Sequence, residues 1–267
     1  MTVNTNIIKT TAKTSLKGNW VKASISCLVL VFAVVFNNYI SSLIATVFGE
    51  IFSAIIYYSF IILMVFPLFF GVLRYFWRMT SDCDDNPISV FYYFSDISEY
   101  LKTLKFELRF GLKILPIAVI VFVPAVIVWL ISQNYIFDLF NIPIPLWTRN
   151  LELAIIFSKT LSNILLAIFS LRYYIAPILF VANEKLDIDE SLYMSTVISK
   201  KTSLDFVYLI ISFLGWLFIS LFAIPLVFTL PYMIISYVIH VRFAVAEYNN
   251  HIESKVMDDY PTFSVGV

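Results

Sequence analysis

The residues of this 267-residue chain with the most chemical potential are polar groups set inside apolar sequence. Lys159 and Asn163 stand four residues apart in the apolar run 151–181 and so share one helical face, with Ser170 near the same stripe. An ionisable residue inside such a run is costly in lipid and marks a site by default. Two arrangements satisfy Lys159. One is a polar cleft facing the helix bundle, with Glu50, Asp138 or Glu152 as the counter-charge. The other is a side chain that snorkels to the outer interface while the serines bond to their own helix. A second set is Arg74, Arg172 and Arg242, each between an aliphatic and an aromatic residue: Leu73-Arg74-Tyr75, Leu171-Arg172-Tyr173 and Val241-Arg242-Phe243. Such triplets anchor a span exit at headgroup level. They could equally contact anionic lipid, each cation near the cytoplasmic leaflet contributing on the order of 1 kcal/mol.

Other chemistry has little foothold. His240 and His251 have no second histidine or carboxylate at ligand spacing, and they read as packing or interfacial residues. Cys27 in an apolar run and Cys83 in an acidic turn read as inert thiols. There is no HExxH pair, nucleophile elbow, phosphate-binding loop or dinucleotide fingerprint, and six glycines leave no glycine-rich loop. No catalytic, cofactor-binding or metal-ligating residue is assigned, and an enzyme is not expected.

The elements that position these residues are set by composition. Sixty per cent apolar and 13% charged residues do not fit a water-soluble fold, for which about a quarter charged is usual. At about 20 residues per span, an all-α, polytopic helical membrane protein of about six transmembrane helices is predicted. The spans fall near residues 21–42, 51–73, 111–132, 151–181, 204–222 and 225–246. Asn37 and Asn38 are placed near the far end of the first span, where they can reach the interface. Prolines 116 and 124 predict a kinked third span whose freed carbonyls neighbours re-satisfy.

Three cytoplasmic amphipathic segments are predicted between the spans. In residues 2–20, Ile8, Ala12, Leu16 and Trp20 form an apolar stripe beside Lys9, Lys13 and Lys17, so this helix is expected to lie on the membrane surface, apolar face down. Residues 80–109 put Phe94, Ile97, Tyr100, Leu101, Leu104 and Leu108 on one face. Residues 183–203 form the third, a polar connection, while 133–150 form a non-basic aromatic loop on the opposite side. A threefold repeat of amphipathic helix plus hairpin, in units 1–79, 80–182 and 183–247, accounts for the recurring arginine triplets; the alternative is that such triplets are common at membrane boundaries. The units make one integral membrane domain, residues 1–247, and 248–267 a polar, poorly ordered cytoplasmic tail.

Sixteen lysines and arginines fall on one side of this arrangement, and only Arg149 and Lys159 on the other, so both termini are expected in the cytoplasm. Zero net charge does not point to nucleic acid.

A resemblance covers nearly the whole chain. Ala12, Leu16, Lys17, Gly18, Asn19, Trp20 and Ala23, then Gly71, Arg74, Tyr75, Phe76, Asn86 and Pro87, then Tyr174, Ala176, Pro177, Ser195, Asp205, Phe206 and Ser212-Phe213-Leu214-Gly215-Trp216 resemble the bacterial integral membrane family filed as domain of unknown function 975. A more distant similarity is to the membrane domain of some glycerophosphodiester phosphodiesterases. The chain departs from the pattern at Ser199-Lys200-Lys201 and Asn183-Glu184. The resemblance implies a bacterial plasma-membrane protein and transfers no site residues. The expected function is a non-enzymatic scaffold, regulator or self-protection factor acting through lipid or a partner protein. The alternatives are a small-solute transporter or channel and, third, an accessory protein of lipid metabolism.

Overall fold

A computed structural model describes residues 5–81, 86–133, 151–183, 186–220 and 225–259, with side chains as far as residue 250. The described residues are almost entirely helical: α1 (Thr5–Leu16), α2 (Trp20–Phe48), α3 (Glu50–Phe60), a π-helical turn (Ile61–Val65), α4 (Phe66–Met79), a 3-10 turn (Pro87–Phe91), α5 (Tyr92–Ser95) and α6 (Ile97–Ser132). They continue with α7 (Glu152–Ser170), a 3-10 turn (Leu171–Tyr173), α8 (Ala176–Ala182), α9 (Ile188–Ile211), α10 (Leu214–Ile219) and α11 (Leu226–Asp259). Six helical stretches are long and apolar enough to cross a membrane: Trp20–Phe48, Glu50–Met79, Ile97–Ser132, Glu152–Ala182, Ile188–Ile219 and Leu226–Asn250. The protein is therefore an all-α, multi-pass helical membrane-type protein, as the sequence predicts.

Prolines inside the spans each remove a backbone donor, and at Pro67 and Pro231 a neighbouring helix supplies one in its place. Pro67 cannot donate to the Leu63 carbonyl one turn back, and the helix widens there into the π turn. Tyr100 Oη of α6 donates to that carbonyl at 2.9 Å. In α11, Pro231 leaves the Val227 carbonyl without its usual partner, and Ser24 Oγ of α2 donates to it at 3.0 Å. Close to Pro124, the buried Ser162 of α7 donates to the Val121 carbonyl of α6 at 2.9 Å. The fourth span breaks before Pro177. There Ser195 Oγ accepts from Ala176 N at 3.1 Å and donates to the Arg172 carbonyl at 3.1 Å, and Ser199 Oγ donates to the same carbonyl at 3.0 Å.

The core is aromatic. Phe70, Phe106 and Phe180, from α4, α6 and α8, meet with ring centroids 4.7–5.2 Å apart, and Tyr93 of α5 stacks on Phe180 at 6.1 Å. Ile235, Val238, Ile239 and Val241 extend the core along α11. The 3-10 turn lies so close to α4 that a Cβ on Gly71 would stand 1.8 Å from the Val90 carbonyl oxygen. Elsewhere the spans present apolar side chains outward, Ile120 at 72% and Val119 at 58% exposure, as lipid-facing helices do.

Four expectations change. The apolar stripe of α1 does not face the bilayer: Ile8, Ala12 and Leu16 are buried within the protein, α1 packing chiefly on α11. Asn37 is not at an interface, because α2 runs on to Phe48. It is buried and donates to the Tyr57 carbonyl of α3 at 3.2 Å, beside the paired hydroxyls of Ser41 and Ser53. The amphipathic segment 80–109 is not one interfacial helix but a 3-10 turn, the short α5 and the first turns of α6, and the polar connection 183–203 is helical from Ile188 onward as part of α9. Asp96 caps α6, accepting from the hydroxyl and backbone N–H of Ser98, bonds that hold its carboxyl below the usual carboxylate range. The tail is helical as far as Asp259, since no glycine or proline interrupts α11 between Pro231 and that point. The loop residues Tyr135, Phe137, Asp138, Phe140, Pro143, Pro145, Trp147 and Arg149, the acidic turn with Cys83, and Glu184 and Lys185 lie outside the described residues.

Two measurements test this packing. Gly71→Ala forces apart α4 and the Pro87–Phe91 turn and should cost about 1–3 kcal/mol of stability in denaturant titration, whereas Gly111→Ala, with open space around it, should cost nothing. Tyr100→Phe and Ser24→Ala each leave a carbonyl beside a proline unsatisfied. Each should lower stability by about 0.5–1.5 kcal/mol, and unchanged unfolding midpoints would show that these carbonyls find other donors.

Candidate functional site: a cationic groove

The three arginines with matching sequence surroundings occupy three different environments. Arg242 is spent inside the protein: Nη2 donates to the Trp77 carbonyl at 2.7 Å, the group also bonds Ser81 Oγ, and its guanidinium carbon lies 4.0 Å from the Trp77 ring centre. It thereby ties α11 to the end of α4. Arg74 stacks on Tyr92, 3.4 Å from the ring centre, and joins α4 to the start of α5. Arg172 is exposed, and it lines a groove.

The groove has a volume of about 680 Å³ and lies between α6, the end of α7 and α9. Three cations from three elements border it: Lys113 of α6, Arg172 of the 3-10 turn and Lys200 of α9. Ser203 lines it with a hydroxyl, the hydroxyls of Thr196 and Ser199 donate to backbone carbonyls, Ile168, Phe169, Leu171 and Leu204 supply an apolar flank, and among the described residues no carboxylate lines it. Each cation is placed for a separate reason. Arg172 is fixed where Ser195 and Ser199 hold its carbonyl, at the break in the fourth span. Lys113 follows Arg109 by one helical turn, and Arg109 forms an ion pair with Asp189 in the first turn of α9. Lys200 lies on α9 next to Ser199, whose hydroxyl reaches across to Arg172. A cluster of three cations with apolar surface beside it suits an amphiphile with an anionic head.

The stripe on the fourth span has a different outcome. Lys159 and Asn163 are both exposed, Ser170 donates to its own helix at Ala167 O (2.8 Å), and Ser158 does the same at Ile155 O (3.0 Å). The residue of this segment that points into the bundle is Ser162, which bonds α6. Glu50 and Glu152 are exposed at the starts of α3 and α7, and Asp138 lies outside the described residues.

His240 is itself buried and belongs to a largely buried cluster. Its Nε2 is 2.9 Å from Tyr174 Oη, which is 2.8 Å from Thr202 Oγ1, while Tyr237 Oη donates to the Tyr174 carbonyl and Phe206 stacks on Tyr174 at 4.2 Å. These contacts join the segment that follows the Arg172 turn to α9 and α11. Among the described residues no group of three His, Cys, Asp or Glu side chains could hold a metal ion.

Sequence reasoning singles out Arg172 but counts Lys113 and Lys200 only as topology charges, because 59 and 28 residues separate them from it. The one available signal was the pair of hydroxyl residues Ser195 and Ser199 at helical spacing, facing a proline-broken span.

Comparison with known families matches residues 1–244 to the family described as a protein of unknown function, DUF975. No curated protein and no solved structure matches. With the match running through all six apolar helices and both sides of the groove, the chain belongs to the DUF975 family.

Proposed function

We propose that this is a non-enzymatic protein of the bacterial plasma membrane, with both termini cytoplasmic, that binds an anionic lipid headgroup in the Lys113, Arg172 and Lys200 groove and acts through it as a scaffold or regulator. The observation that carries this reading is the convergence of three cations from three separate elements on a groove that no carboxylate lines among the described residues. A lone surface lysine is a topology signal; three cations bordering one groove make a receptor for negative charge. The apolar flank provides a surface for the first part of an acyl chain, so the ligand is a lipid and not a free anion. The transporter reading rested on the prolines within spans and on the fourth-span stripe, whose Lys159 and Asn163 are exposed.

Purified protein should retain phosphatidylglycerol over phosphatidylcholine in native mass spectrometry. Replacing Lys113, Arg172 and Lys200 by glutamine should weaken that preference by about fivefold per charge, the equivalent of about 1 kcal/mol each; equal retention of both lipids by the unaltered protein would overturn the proposal. A reporter joined after Val267 should be active only in the cytoplasm, and activity on the far side would exclude this orientation.

A further inference from the structure

A second groove, of about 480 Å³, lies between α1, the start of α2 and the α10–α11 hairpin, apart from the Arg172 groove. Its walls are Trp20, Trp216, Phe228 and Tyr232, with Lys13 and Lys17 at one edge. We propose that this groove is a second, separate lipid site, which takes an acyl chain of an anionic phospholipid against the aromatic wall and its phosphate between Lys13 and Lys17.

The two threonine hydroxyls at the groove are already committed to the backbone. Thr14 Oγ1 donates to the Thr11 carbonyl at 2.7 Å and Thr229 Oγ1 to the Pro225 carbonyl at 2.9 Å, so both turn their donors to the backbone. Lys13 touches only the outer range of a cation–π contact, 5.9 Å from the Tyr232 ring centre. Lys9, one turn earlier, is held in the protein: Nζ donates to the Ser212 carbonyl at 3.0 Å and lies 4.7 Å from the Phe213 ring centre. Burial and the adjacent Lys13 charge pull the Lys9 ammonium below the usual lysine range. The crowded positive charge has no carboxylate among the groove residues, and an anion beside Lys13 and Lys17 relieves it.

The occupant follows from the two halves of the groove. Four aromatic side chains in a space of ligand size favour a hydrocarbon chain, and two cations at one edge favour a phosphate. Because α1 spends its apolar stripe inside the protein, docking of α1 is what brings Lys13 and Lys17 to Trp216 and Tyr232. The Ser212-Phe213-Leu214-Gly215-Trp216 segment thereby gains a role: its break between α9 and α10 frees the Ser212 carbonyl for Lys9 and turns Trp216 to the groove.

Trp216 is its own reporter. The protein and its Trp216→Phe variant are reconstituted in vesicles with increasing fractions of brominated phosphatidylglycerol or brominated phosphatidylcholine, and the difference between them isolates Trp216 quenching. Half-maximal quenching is expected at a lower fraction of the anionic lipid. Lys13→Gln with Lys17→Gln should reduce that preference about tenfold or more, Lys13→Arg with Lys17→Arg should keep it, and Lys113→Gln with Arg172→Gln should leave it unchanged. Coincident quenching curves for the two lipids overturn the proposal, as does an unchanged preference in the double glutamine variant. Loss of the preference in the arginine variant as well would assign the lysines to folding and also overturn it. The Lys113 and Arg172 variant separates this site from the first groove, since each can fail without the other.

Discussion

The structure depends on one constraint, that a carbonyl freed by proline within an apolar helix must find a donor on another helix. In water such a carbonyl is hydrated at little cost; among lipid chains there is no such partner. Tyr100 answers Pro67 and Ser162 bonds α6 close to Pro124, each from the next span along the chain, and Ser24 answers Pro231 from the other end of the chain. These bonds fix which helices are neighbours more firmly than apolar packing does, since lipid offers an apolar side chain much the same environment as a neighbouring helix. The same repair at the Pro177 break places Arg172, because Ser195 and Ser199 hold its carbonyl and turn α9 toward it.

Architecture and site therefore share a cause. A straight fourth span would carry its arginine out of the membrane on a regular helix. The break at Leu171–Tyr173 leaves Arg172 beside α9, where Lys200 stands, and the Arg109–Asp189 pair sets α6 against α9 so that Lys113 completes the cluster. The ion pair is half exposed and contributes little to stability; its effect is to fix relative position. The Tyr174, Thr202 and His240 contacts make the junction of the segment after the Arg172 turn with α9 and α11 polar, directional and specific.

The fold was legible where the signal was local. Span number and approximate span location follow from apolar run length and residue type, and six long apolar helices stand there in the structure. What failed was anything requiring knowledge of a neighbour. Ile8, Ala12 and Leu16 make an apolar stripe that fits a bilayer or a protein groove equally well, and only the presence of α11 decides between them. Asn37 is read as interfacial when the span is ended at residue 42; with α2 extending to Phe48 it is internal and bonded to Tyr57. The arginine triplets show the same limit, since identical flanks lead to a Trp77 clasp, a Tyr92 stack and an open groove.

Charge distribution explains how a chain of zero net charge can present two positive grooves. Several of its acidic residues are used locally: Asp96 caps α6, Glu99 pairs with Lys102 within the same helix, and Asp189 pairs with Arg109. Each of these neutralises a helix end or a neighbouring cation at short range. Lys113, Arg172 and Lys200, and separately Lys13 and Lys17, have among the described residues no carboxylate in the grooves they border. Overall charge is thus a poor guide to what this surface attracts, because at physiological ionic strength the field of an exposed charge is screened within about 8 Å. Over that distance a ligand meets only the local cluster, and in both grooves that cluster is positive with an apolar wall beside it.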